Sequence, residues 1–207
     1  MYHKIDTVFK RDESTRNKSL LIGQYSRPEF EYLAENRWIF TEKVDGTNVR
    51  VSISDAGSLI HFGGKTEKAQ LPGPLTRRLE ELFLRQRDKL REIFPDGAVL
   101  YGEGYGEKIQ TGGIYRREQD FVLFDVQISG LWSSRKAVQE IASNLGLDVI
   151  PVVGYGTLPE MVEKVRVGFT SAWGDFLAEG IVARPEVELL DGAGRRVICK
   201  IKHRDSS

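Results

Sequence analysis

Thr41-Glu42-Lys43-Val44-Asp45-Gly46-Thr47-Asn48-Val49-Arg50, residues 41–50, is the stretch from which the rest of the chain is read. Asp-Gly tolerates positive φ, so the pair 45–46 predicts two short strands joined by a tight hairpin turn. Before the turn Trp38, Phe40 and Val44 alternate with Ile39, Thr41 and Lys43. After it Val49, Val51 and Ile53 alternate with polar residues, the period of half-buried strands. Lys43 then sits at a strand end, beside a turn. A lysine held rigidly in a semi-buried cleft can lose its proton and attack an electrophile. Taken alone, the decapeptide reads equally as a surface hairpin with an exposed lysine.

Outward from this stretch, the sequence predicts a strand at 5–9, a solvated loop at 11–18 and a short helix over 28–36 opened by Pro28. Leu59 to Phe62 reads as a strand, with His61 a structural strand residue. Gly63-Gly64-Lys65-Thr66 lacks the spaced glycines of a Walker A motif, but the loop could bring Lys65 to a phosphate. Leu75, Leu79, Leu82, Phe83, Leu90, Ile93 and Phe94 predict one helix over 74–94. Its other face mixes acids and bases and reads as solvated, with i,i+4 pairs such as Arg77–Glu81 and Glu81–Arg85. Ala98 to Tyr101 is an apolar strand running into a glycine-rich bend that carries Glu103.

Further strands are expected at 121–126, 148–153, 177–185 and 196–202, and helices at 133–145 and 158–167. In the first of these strands Phe124 faces away from Asp125. Glu179 lies at the entrance of the third. In the last, Val197, Cys199 and Ile201 share one face, and Lys200 and Lys202 the other. Same-face residues two apart are roughly 6–7 Å from each other. That spacing suits either a polyphosphate or a charged strand edge.

The chain has 207 residues, 30 basic and 30 acidic side chains and a formal charge of +0. Such a balance argues against coating nucleic acid by charge alone, though not against a local basic groove. The one cysteine, Cys199, excludes an intramolecular disulfide and suits a reducing compartment. Neither a signal peptide nor a membrane span is legible, so a cytoplasmic protein is expected.

Lys43-Val44-Asp45-Gly46, Tyr101-Gly102-Glu103-Gly104, Phe121 to Val126, Glu179-Gly180-Ile181-Val182 and Cys199-Lys200-Ile201-Lys202 resemble, in order, nucleotidyltransferase motifs I, III, IIIa, IV and V. That superfamily includes ATP-dependent DNA ligases, RNA ligases and mRNA capping enzymes. Glu42 to Asn48 most resembles the nick-sealing class of RNA ligases. The resemblance implies an α+β nucleotidyltransferase (adenylation) domain of ATP-grasp-like type, with antiparallel sheets flanked by helices. It implies ATP and Mg2+ (or Mn2+) as cofactors and RNA ends or a nicked duplex as partners. Lys43 would form lysyl-AMP, AMP would pass to a 5′-phosphate, and a 3′-hydroxyl would displace it. Glu42 would lie at the adenine edge, Phe124 would stack on adenine and Glu103 would bind ribose. Glu179 would organise the metal, Lys200 and Lys202 would bind phosphates, and Asn48 would place phosphates or the acceptor hydroxyl. Asp45 belongs to the motif, and Lys65 stands where the family often has a basic residue.

The chain ends five residues after Lys202, where relatives continue into an OB-fold or helical domain. The expectation is one adenylyltransferase domain over 1–207, which is either a minimal ligase, or relies on a partner protein for end recognition, or is one domain of a larger protein. A minimal DNA ligase, an end-adenylating enzyme and a non-catalytic nucleotide-binding module stand as alternatives.

Overall fold

The computed structural model describes residues 2–16, 18–54, 57–66 and 68–205. The chain forms two compact units, Lys4–Val44 with Pro151–Ser207 (the terminal unit) and Asp45–Ile150 with Met1–His3 (the mid-chain unit). One of the crossings between them falls inside the motif, between Val44 and Asp45.

The terminal unit begins with β1 (Asp6–Thr7), β2 (Phe9–Arg11), β3 (Leu20–Tyr25), α1 (Pro28–Tyr32) and β4 (Trp38–Glu42). Pro28 opens α1, as expected, but the helix ends four residues earlier than the sequence suggests. The mid-chain unit follows with β5 (Thr47–Ser54), β6 (Leu59–Gly63), α2 (Gly73–Phe83), α3 (Arg87–Ile93), β7 (Ala98–Tyr105), β8 (Asp120–Ile128), β9 (Leu131–Trp132), α4 (Arg135–Leu145) and β10 (Asp148–Val149). The chain then returns to the terminal unit with β11 (Val152–Gly156), α5 (Leu158–Val167), β12 (Gly180–Pro185) and β13 (Cys199–Lys202).

A five-stranded sheet ordered β1-β13-β12-β4-β11 spans the terminal unit, antiparallel except where β1 meets β13. Behind it α5 buries Leu158, Met161 and Val165 in one cluster with Trp38, Phe40, Ile181, Ala183, Cys199 and Ile201. Thr157 and Glu160 form a reciprocal capping box at the start of α5. In the mid-chain unit the sheet order is β10-β8-β7-β5-β6, with β9 also on β8. Leu75, Leu79 and Phe83 of α2, and Val138, Ala142 and Leu145 of α4, pack on Val49, Val51, Leu100 and Leu123. Ser134 caps α4, and Gly146 ends it in the left-handed region at φ 62. Both units have the expected α+β composition, in sheets that are mainly antiparallel.

Other expectations also differ from the structure. Asp45-Gly46 is no hairpin: β4 pairs with β11 and β12, whereas β5 pairs with β6 and β7. Gly46 has no positive φ. A Cβ there would overlap the Gly104 carbonyl and come within 2.9 Å of Glu103 Cγ, so glycine serves the approach to β7. The five residues of β4 are all buried, which makes it a covered strand rather than an alternating one. The helix expected over 74–94 breaks at a 3-10 turn over Leu84–Gln86. There the Gln86 side-chain amide donates to the carbonyls of Leu82 and Leu145, diverting the helical ladder. The strand expected over 148–153 divides between units at Pro151, which has no N–H to donate.

Candidate active site

Lys43 directly follows β4, and its amide donates to the Gly180 carbonyl at 3.0 Å, keeping it in register beside β12. Glu179 immediately precedes β12. The Lys43 ammonium donates to Glu179 Oε2 at 2.7 Å, and Lys202 Nζ lies 2.6 Å from Oε1. Lys43, Glu179 and Lys202 side chains retain 20%, 14% and 17% of their exposure, so the triad is sheltered but reachable. It holds two ammonium groups against one carboxylate, an excess cation where phosphate oxygens would bind.

Lys200 and Lys202 share a face of β13, with Val197, Cys199 and Ile201 buried in the core. β1 pairs with Cys199 and Lys200, so at Lys200 β13 lies inside the sheet rather than at its edge. Burial pushes the Cys199 thiol up, away from thiolate formation.

Glu42, one residue before Lys43, is only 1% exposed. Ser171 Oγ donates to its Oε1 at 2.6 Å, and the Ala172 amide to its Oε2 at 2.8 Å. Burial raises its pKa, and the two hydrogen bonds oppose that shift. The carboxylate thus anchors the segment leading to Glu179. The sequence offered no signal for the Ser171 contact, which spans 129 residues.

The other assigned residues belong to the mid-chain unit. Asn48 and Glu103 are direct partners across β5 and β7, both half-buried. Gly102 and Gly104, expected in a bend, lie within β7. A Cβ on Gly102 would overlap the Phe121 ring, and one on Gly104 would overlap Leu75. Thr111 Oγ1 donates to Asp45 Oδ2 at 2.7 Å, and the Asp45 amide donates to Tyr115 Oη at 3.3 Å. Lys65 is exposed after β6.

Phe124 is half-buried, and the β7–β8 register shifts beside it: Tyr101 pairs with Asp125, and Gly102 with Leu123. This bulge breaks the strict alternation expected of Phe124 and Asp125. Tyr2 reaches both residues, its ring centred 5.1 Å from Phe124 and its hydroxyl donating to Asp125 Oδ2 at 2.5 Å. Nothing in the N-terminal sequence marked Tyr2 for this position.

Among the described residues no group of three or more His, Cys, Asp or Glu side chains could hold a metal ion. Magnesium-type ions commonly take one or two carboxylates together with waters and substrate phosphates, and Glu179 fits an ion arriving with a nucleotide.

Each unit joins a mainly antiparallel sheet to helices, and in the terminal unit a strand-end lysine stands beside a carboxylate and a second lysine. A model of the RNA ligase family matches residues 36–202, and the chain belongs to that family. Among solved structures it is similar to Naegleria gruberi RNA ligase with PPi, at TM-score 0.66 and 18% identity over 84% of this chain and 52% of that one. A lysine mutant of that ligase with ATP and Mn aligns at TM-score 0.69 and 16% identity, over 97% of this chain and 61% of the other. An arginine mutant with ATP and Mn aligns at 0.70 and 16%, over 99% and 58%. The likeness is one of fold, and the chain spans little more than half the length of these structures. No curated protein sequence matches it.

Proposed function

We propose that this chain is an ATP-dependent RNA ligase whose two units act as one adenylyltransferase domain. The observation that carries the reading is the sharing of the Glu179 carboxylate by Lys43 and Lys202, at 2.7 and 2.6 Å. Glu179 Oε2 is placed to take the proton that Lys43 must lose. The Lys43 nitrogen then bonds to the α-phosphorus of ATP, the bond to the β-phosphate oxygen breaks, and pyrophosphate leaves. A 5′-phosphate oxygen next displaces the lysine, and a 3′-hydroxyl displaces AMP to form the phosphodiester. Lys200 and Lys202 neutralise phosphate oxygens during these displacements. Magnesium or manganese held at Glu179 would withdraw charge from the same oxygens.

Phe124 is assigned to the adenine face, Glu103 to ribose, and Asn48 and Lys65 to phosphates or the acceptor end. Asp45 is assigned to the nucleotide site, with Thr111 holding its carboxylate. For Glu42 the buried carboxylate supports an adenine-edge role only through the segment it anchors. The matched ligases are RNA ligases bound to PPi or to ATP and Mn, which supports the same chemistry here. We further place the reaction in the cytoplasm, with RNA ends or a nicked duplex as substrate and a partner protein or domain sharing end recognition. No helix among the described residues is long and apolar enough to cross a membrane.

The test is sealing of 5′-phosphorylated nicks in all-RNA, mixed and all-DNA duplexes with ATP and magnesium. Ligated RNA strands are expected. Sealing of DNA nicks alone would replace the RNA assignment, and adenylated but unjoined ends would leave an end-adenylating enzyme.

A further inference from the structure

Phe124, assigned to the adenine face, lies where the ladder between β7 and β8 changes register, between Leu123 opposite Gly102 and Asp125 opposite Tyr101. A residue inserted at a bulge is released from the alternation that aims side chains along a regular strand. Packing must then set the direction of its ring. Tyr2 supplies such packing: its ring meets that of Phe124 at 5.1 Å between centroids and 73° between planes, an edge-to-face contact.

Tyr2 is itself held on several sides. Its ring centre lies 5.0 Å from that of Tyr101 and 5.6 Å from that of Trp132, and the His3 imidazole stacks on it at 4.6 Å. Its hydroxyl donates to Asp125 Oδ2 at 2.5 Å, and Asp125 is only 1% exposed. A directed bond to a buried carboxyl fixes the ring against sliding, which ring contacts alone would allow. Tyr101 and Asp125 are direct neighbours across β7 and β8, and Arg50 faces Tyr101 from β5. By the two-residue period of a strand, Arg50 and Tyr101 share the sheet face of Asn48 and Glu103, both assigned to the nucleotide. All of these residues belong to the mid-chain unit.

We propose that Tyr2 is a positioning residue of the nucleobase subsite: bonded to Asp125 and set against Phe124, it holds the Phe124 ring in the orientation on which adenine stacks. The role rests on the ATP reading of Phe124. It concerns the binding of the base and not the attack by Lys43.

Lysyl-AMP formation is measured against ATP concentration for wild type, Tyr2→Leu, Tyr2→Phe, Phe124→Leu and the Tyr2→Leu/Phe124→Leu pair. Tyr2→Leu should raise the half-saturating ATP concentration about fivefold or more, the scale of a lost aromatic pair and hydrogen bond, with the saturated rate within about twofold of wild type. Tyr2→Phe keeps the ring contact and should recover most of that loss. Inhibition by tripolyphosphate, which carries no nucleobase, should be the same in wild type and Tyr2→Leu. The paired variant should be no worse than Phe124→Leu alone, because Tyr2 acts through that ring. A half-saturating concentration unchanged in Tyr2→Leu, weakened tripolyphosphate inhibition, or single effects that multiply in the pair would overturn the proposal. Tighter ATP binding by Tyr2→Leu would overturn it too, since Tyr2 would then obstruct the ring. If wild type forms no lysyl-AMP, the ligase reading fails by itself, and equilibrium dialysis with labelled ATP decides for Tyr2. Weaker binding by Tyr2→Leu supports its role, whereas equal binding, or binding by neither protein, counts against it.

Discussion

At the scale of single residues, charge arithmetic around Glu179 decides what the site can do. Lys43 and Lys202 share one carboxylate, so replacing Glu179 by Ala removes their common partner and, in the proposed reaction, the acceptor of the Lys43 proton. Glu179→Ala is expected to slow lysyl-AMP formation by about 10²-fold or more, the usual scale for loss of a positioned base, measured by single-turnover labelling. Glu42 gives a different prediction, read in stability. Its folded-state pKa is raised above the ordinary carboxyl value, chiefly by burial, so the folded protein holds that proton more tightly than the unfolded chain. The sign follows: this group's contribution weakens as pH rises from about 4.5 through the raised value, and stays weakened above it. Glu42→Gln removes the titration while retaining a side chain able to bond Ser171 and Ala172. Denaturant midpoints at acidic and neutral pH should therefore shift in favour of the variant as pH rises. A difference independent of pH would contradict the assignment.

At the scale of elements, the order and kind of most strands and helices were legible. Apolar periodicity marks α4 and α5 and the buried face of β13 directly. The partners of β4 were not legible, because Asp-Gly carries the same local signal in a hairpin and in a crossing between sheets. Only the strands far along the chain, β11 and β12 on one side and β6 and β7 on the other, settle it. The same limit applies to the site: Lys43, Glu179 and Lys202 could be named from motif order, but Tyr2, Thr111 and Ser171 meet their partners only through tertiary contacts. Gly46 offers a test of the element reading. Asparagine tolerates left-handed backbone, so a turn at 45–46 would accept Gly46→Asn readily. Against the Gly104 carbonyl any Cβ must displace β7, and the variant should lose about 1–3 kcal/mol by urea denaturation. A midpoint equal to wild type would restore the turn.

At the scale of the whole chain, each unit has its own apolar core and its own share of the assigned residues. Lys43, Glu179, Lys200 and Lys202 lie in the terminal unit, and Asn48, Glu103 and Phe124 in the mid-chain unit. The boundary at Val44–Asp45 explains why the stretch 42–48 carries both Lys43, the proposed nucleophile, and the first residues of the next sheet. The central claim is covalent chemistry at Lys43, and one measurement reaches it directly. Wild type and Lys43→Ala are incubated with α-labelled ATP and magnesium, denatured, and examined for label retained on the protein. Label on wild type alone, released by acid as a phosphoramidate should be, is the expected result. A folded wild-type protein, freed of any AMP already bound, that takes no label would contradict the account, as would equal label on the Lys43→Ala variant.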